Sequence, residues 1–196
     1  MKKGEYFIKN IISVTLFLLL MVTIAWRIFP LLEKKYIYPM KYKEEVVLYA
    51  EEFSLNPKLV FSVIKTESGF REDAVSEKGA KGLMQIIDGT ASYIAKLLGE
   101  KEYDIFSPST NIRFGCFYLR LLIDKFTVEK TALCAYNAGE GNVNKWLNNK
   151  GYSTDGVNLT LIPYRETEEY IKKIYKSYAK YEKLYGNILD KSEKFE

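Results

Sequence analysis

Between Lys9 and Arg27 the chain runs from Ile11 to Trp26 without one charged residue. A run that is apolar on every side has no face to turn to water, so it suits neither a surface helix nor the amphipathic helix of a soluble core. A bilayer span takes roughly 20 apolar residues, with a range of about 17–25, and Ile28, Phe29, Leu31 and Leu32 extend the apolar character past Arg27. Lys9 and Arg27 can snorkel from the two ends, and Trp26 and Phe29 suit the interface. Residues 1–32 therefore read as an uncleaved membrane anchor, a single N-terminal transmembrane helix. The alternative is a cleaved signal peptide, with Thr23 and Ala25 as a small-x-small site followed by an awkward Trp-Arg. Lys2, Lys3 and Lys9 argue for an inside N-terminus, but Arg27, Lys34 and Lys35 flank the other end, so charge leaves the orientation open.

Residues 33–41 read as a linker, 42–185 as one domain, and 186–196 as a charged, frayed tail. Apolar residues at helical spacing recur throughout the domain. Val46, Val47, Ala50 and Phe53 make one stripe, and Ile112, Gly115, Cys116, Leu119, Leu122, Ile123 and Phe126 make the cleanest, expected as the central packing helix. Helix starts are read at Asn56-Pro57, at Thr90 or Asp88, and at Ser109 or Thr110 after Pro108. Gly99 and Asn137-Ala138-Gly139 read as exits, and a last helix is expected from Glu166 to Tyr185. No segment alternates as a strand would. The expected class is all-α.

The sequence contains no His, which removes His-based triads, His–Cys nucleophile pairs and most zinc sites. Cys116 and Cys134 lack metal-ligand spacing and read as buried free thiols, with a disulfide left open. No metal or cofactor is indicated. The net charge of +4 is too modest and too evenly spread to argue for nucleic acid. Sixteen tyrosines offer flat faces with polar edges, suited to sugars or interfaces, or simply to half-buried helix positions.

Val60, Val63, Ile64 and Glu67 fall at i, i+3, i+4 and i+7, which places a carboxyl on the stripe that should be buried. Desolvation raises the pKa of such a group and keeps it protonated near neutrality, the state a general acid needs. The competing reading is a structural acid paired with Lys or Arg, or one rotated outward. Gly82-Leu83-Met84-Gln85 is by itself a turn, Asn137-Ala138-Gly139 a helix exit, and Tyr170 a packing residue.

Taken in order, four blocks resemble the lytic transglycosylases of the soluble-lytic-transglycosylase type, whose catalytic domain is a goose-lysozyme-like helical fold. They are Glu67-Ser68-Gly69-Phe70, Gly79 to Ile86, Ala135 to Gly139, and Glu166 to Ile171. Asn111-Ile112 through Leu122 resembles that family's central helix. The resemblance spans about Tyr42 to Tyr185. It implies that Glu67 is the single catalytic acid, and that Ser68 helps position groups near the acetamido sugar. It implies that Met84 and Gln85 contact sugar in the groove, that Tyr136 and Asn137 line the catalytic centre, and that the Tyr170 hydroxyl approaches the acid. The implied substrate is the peptidoglycan glycan strand, cut at the MurNAc–GlcNAc β-1,4 bond without water to leave a 1,6-anhydro end. The implied location is the membrane, with the domain on the wall-facing side.

Two rival functions stay open from sequence. A goose-type muramidase on the same fold needs a second carboxylate holding a water opposite Glu67, and Glu72, Asp73 and Asp88 are near in sequence. A non-catalytic glycan-binding envelope scaffold keeps the groove without using the acid; cell-envelope protein partners are unidentified. Two departures from the family pattern stand out. Asp88-Gly89-Thr90-Ala91 replaces a common Pro before the small-Thr pair, and Cys116 and Cys134 occupy positions that usually hold small residues.

Overall fold

The computed structural model describes residues 2–189, with side chains from residue 6. The chain divides into two compact units, Met1–Met40 and Lys41–Glu196. The first consists of α1 (Lys2–Leu32) and a π-helical turn, Glu33–Ile37. Every side chain from residue 6 to residue 32 is exposed, and the stretch Tyr6–Ile37 is long and apolar enough to cross a membrane.

The second unit contains α2 (Lys43–Glu52), α3 (Pro57–Glu67), α4 (Asp88–Leu98), α5 (Pro108–Phe126), α6 (Glu129–Ala138), α7 (Glu140–Leu147) and α8 (Arg165–Leu189). No strand occurs among the described residues, as the absence of alternation implied; only isolated bridges, Val75 to Lys81 and Lys81 to Ile86, stitch the loop before α4.

Two helices share the centre that the sequence assigned to one. α5 packs on α2, α4 and α6, burying Ile112, Phe114, Cys116, Leu119 and Leu122. α3 packs along α8 and is buried all round from Pro57 to Ile64, so its apolar residues enclose more than a stripe. Phe61 stacks on Tyr181 at 5.3 Å, and Tyr181 on Tyr185 at 5.9 Å. Part of the tyrosine excess is therefore core. Lys58, only 4% exposed, reaches Glu182 at 2.7 Å.

Asn56 caps α3 as its sequence suggests: its side-chain oxygen accepts from the Lys58 N–H at 2.9 Å, and Pro57 opens the helix. Two other starts differ. α4 begins at Asp88 after Ile87, without a side-chain cap, because the Asp88 carboxylate is turned to the Lys81 ammonium at 2.7 Å. α5 begins at Pro108 after Ser107 as its cap position, two residues before Ser109 and three before Thr110, because proline's missing N–H suits the first helical position. α8 continues past Tyr185 to Leu189, since Gly186 and Leu189 are buried. Of the expected tail, residues 190–196 lie outside the described residues.

Candidate active site

Glu67 is the last residue of α3 and comes into view where that buried helix ends. Ser68 follows as its C-cap. The Ser68 hydroxyl is buried, donates to the Leu83 carbonyl at 2.8 Å, and accepts from the Phe70 N–H at 3.1 Å. One small side chain thus ties the acid's helix end to the glycine turn.

That turn is built on Asn111 of α5, which is fully buried. Its Oδ1 accepts from the Met84 N–H at 2.7 Å, and its Nδ2 donates to the carbonyls of Ile105 at 2.8 Å and Lys81 at 3.0 Å. Gly82 lies against this amide with φ +74°, and a Cβ there would stand 2.2 Å from Asn111 Nδ2. Both conformation and space require glycine. At Gly115 of α5 a Cβ would meet Met84 Sδ at 2.3 Å, so the missing side chain is the socket for Met84. Gln85, at φ +51°, folds its amide back to donate to the carbonyls of Gly82 at 2.9 Å and Ala74 at 3.1 Å.

α6 approaches from the other side. The Tyr136 hydroxyl donates to the Met84 carbonyl at 2.8 Å, and its ring packs on Tyr118 at 5.5 Å. The Thr167 hydroxyl, from the first turn of α8, donates to Asn137 Oδ1 at 2.8 Å, leaving the amide's N–H groups as what Asn137 has to offer. The resulting cavity is about 630 Å³, lined by Glu67, Gln85, Ile86, Ile87, Thr90, Tyr118, Tyr136, Asn137 and Glu166, with the Ser76–Ala80 turn at its rim. That volume lies inside the range of about 300–1,000 Å³ usual for small-ligand sites.

The electrostatics single out Glu67. Burial is the largest influence on its carboxyl and raises the pKa to about 7, and the Glu166 charge pushes the same way. The Tyr170 hydroxyl opposes them by interacting with the carboxyl. The Tyr170 oxygen is buried and has no hydrogen-bond partner at ordinary distance and angle. Tyr136 and Tyr170 are held well above the usual tyrosine pKa, by burial first and then by Glu67, so both remain neutral donors beside the acid.

Of the residues singled out in the sequence, Glu67, Gln85, Tyr136 and Asn137 line this cavity. Ser68, Met84 and Tyr170 do not; each is buried behind it. Met84 is fully buried, and its side chain is not part of the cavity lining. Glu72 and Asp88 are engaged elsewhere, with Tyr42 and Lys81, and neither they nor Asp73 line the cavity. Asn111 as a builder of the site, and Glu166, Tyr118 and Thr90 as lining, are additions from the structure. Asn111 gave a faint signal as a polar residue beginning the most apolar stripe of the chain.

Fold and site together define a lysozyme-like all-α domain whose groove holds the carboxyl of Glu67 at the end of a buried helix. The SLT transglycosylase domain model matches residues 46–157. The chain belongs to the SLT transglycosylase domain family. It is 31% identical over 170 residues to the soluble lytic murein transglycosylase of Salmonella typhimurium, a match covering 84% of this chain and 26% of that protein. It is 30% identical over 159 residues to the membrane-bound lytic murein transglycosylase C of Actinobacillus pleuropneumoniae serotype 5b, covering 67% and 43%. An inactive Glu-to-Gln mutant of the lytic transglycosylase Slt from Pseudomonas aeruginosa superposes with a TM-score of 0.65 at 28% identity, over 74% of this chain and 24% of that one. The chain thus spans about a quarter of the length of the soluble relative, 26%.

Proposed function

We propose that the protein is a membrane-anchored peptidoglycan lytic transglycosylase that cleaves the MurNAc–GlcNAc β-1,4 bond to leave a 1,6-anhydro end. The observation that carries this reading is Glu67: a carboxyl at the end of α3 that lines the groove, with its pKa raised by burial to about 7. A group that must donate a proton and then accept one works best with a pKa near ambient pH. In the first step the Glu67 carboxyl gives its proton to the glycosidic oxygen as the C1–O bond breaks. The acetamido carbonyl oxygen of the muramyl sugar closes on C1. In the second step the Glu67 carboxylate takes the proton of the sugar's 6-hydroxyl, whose oxygen displaces the acetamido oxygen at C1. Glu67 ends protonated, and no water enters.

Gln85, Tyr136 and Asn137 are proposed to hold the sugars from the groove wall. Ser68, Met84 and Tyr170 support them from behind: Ser68 and Met84 fix the turn, and Tyr170 sets the acid. The segment 1–32 is proposed as a single-pass anchor with residues 42–185 on the wall-facing side, because the glycan substrate lies outside the membrane. A muramidase would require a second carboxylate holding water across the groove. Mass spectrometry of the digest decides between them: anhydro-muramic ends, lighter by one water, are expected, and reducing muramic ends would sink the transglycosylase reading.

A further inference from the structure

The rim of the groove carries one ion pair across its opening. On one side Lys78 sits at the tip of a tight turn. That turn is closed by Ser76, whose N–H donates to the Ala80 carbonyl at 2.9 Å, whose carbonyl accepts from Gly79 at 2.9 Å, and whose hydroxyl accepts from the Ala80 N–H at 3.0 Å. On the other side Glu166 lies in the first turn of α8. The Lys78 ammonium stands 3.6 Å from the Glu166 carboxylate, and the two side chains are 82% and 74% exposed. An ion pair so long and so open to water holds its partners weakly. Lys78 is also the sole cation lining the groove among the described residues, against three acids, Glu67, Glu77 and Glu166.

If peptidoglycan is the substrate, as proposed above, the strand brings carboxylates to this rim. Each muramyl sugar carries a lactyl arm that ends in a carboxylate when bare. When the arm bears a peptide, the peptide's own carboxylates take that place. We propose that Lys78 is a specificity residue that leaves Glu166 to bind a carboxylate carried on the muramyl lactyl arm. The rigid turn holds the ammonium at the groove edge, and the loose partner lets it go at little cost. Without Lys78 the lining acids would repel such a substituent.

The test uses the full chain in detergent micelles with the Glu67→Gln substitution, so that ligand binds without turnover. Calorimetry compares a muramyl tetrasaccharide with free lactyl carboxylates against the same saccharide with those carboxyls converted to primary amides. A third and fourth ligand bear a short peptide with its carboxylates free or amidated. The charged form should bind about 3- to 10-fold tighter than its amide at low salt, the range left to a charge-assisted contact after solvent screening. Adding Lys78→Met should bring that ratio to about one, Lys78→Glu should invert it, and Glu166→Gln should widen it. A preference confined to the lactyl pair assigns the bare arm, and one confined to the peptide pair assigns the stem. A ratio of one before any change at Lys78, or a preference that survives Lys78→Met, overturns the proposal while leaving the glycan reading intact. Failure of all four ligands to bind sinks the peptidoglycan reading and this inference with it.

Discussion

Replacing Asn111 by Ala removes the brace under the glycine turn, and its cost follows from the bonds lost. The Met84 N–H and the Ile105 carbonyl each lose a partner inside the protein, at 2.7 and 2.8 Å. The Lys81 carbonyl loses one bond but keeps another from the Ile86 N–H at 3.0 Å. A buried polar group left unpaired costs about 1–3 kcal/mol. The space vacated by the amide is polar and can admit a water that recovers part of this. The expected loss is therefore about 2–4 kcal/mol, a large share of the roughly 5–15 kcal/mol that holds a domain folded. Urea unfolding of the full chain in micelles, followed by the fluorescence of the buried Trp146 in a Trp26→Phe background, measures it. Asn111→Asp keeps the acceptor for Met84 but buries a carboxylate against the carbonyls of Ile105 and Lys81, and should cost at least as much as Ala. A loss below about 1 kcal/mol for Asn111→Ala, with activity kept, would refute the claim that this amide builds the site.

Four further outcomes follow from the same structure. Glu67 acts first as a protonated acid, so kcat/KM should fall as pH rises through about 7; Tyr170→Phe removes the influence that lowers this pKa and should move the fall to higher pH, a shift to lower pH contradicting it. The acid's pKa is raised on folding, so its ionisation opposes folding as pH climbs from its ordinary value of 4.5 to about 7, and the loss levels off above that. Glu67→Gln should thus abolish turnover yet stabilise the fold by about 2–3 kcal/mol at pH 8 and by little at pH 4, read from paired urea curves. Ser68→Ala should cost about 1–2 kcal/mol by cutting the link from α3 to the glycine turn, measurable in the same assay. Burial pushes the Cys134 thiol up to about 11 and Cys116 higher still, so neither should react with a disulfide reagent until the domain unfolds.

Much of this molecule was legible where one residue's local chemistry decides the outcome. Asn56-Pro57 started a helix because a side-chain acceptor and a missing N–H act within one turn. Gly99 ended one because the chain there takes a left-handed conformation. Glu67 was legible because spacing alone put a carboxyl among Val60, Val63 and Ile64. What escaped depended on partners distant in sequence. Asp88 looked like a cap until Lys81 claimed its carboxylate. Nothing local in the sequence shows that the Met84 side chain seats in the hollow at Gly115 of α5 while its carbonyl accepts from Tyr136. Asn111 looked like the polar edge of a core helix, since nothing local reveals that its amide meets three backbone groups drawn from two loops. Part of the tyrosine excess proved to be core for the same reason, because α8 lies along α3.

The central claim is that Glu67 moves one proton out and one back without admitting water. Digestion of purified glycan strands in heavy-oxygen water tests it directly, with each new muramyl end weighed. The account predicts anhydro ends that carry no heavy oxygen at any pH where the enzyme turns over. One heavy oxygen per cut, on a reducing end, would contradict it.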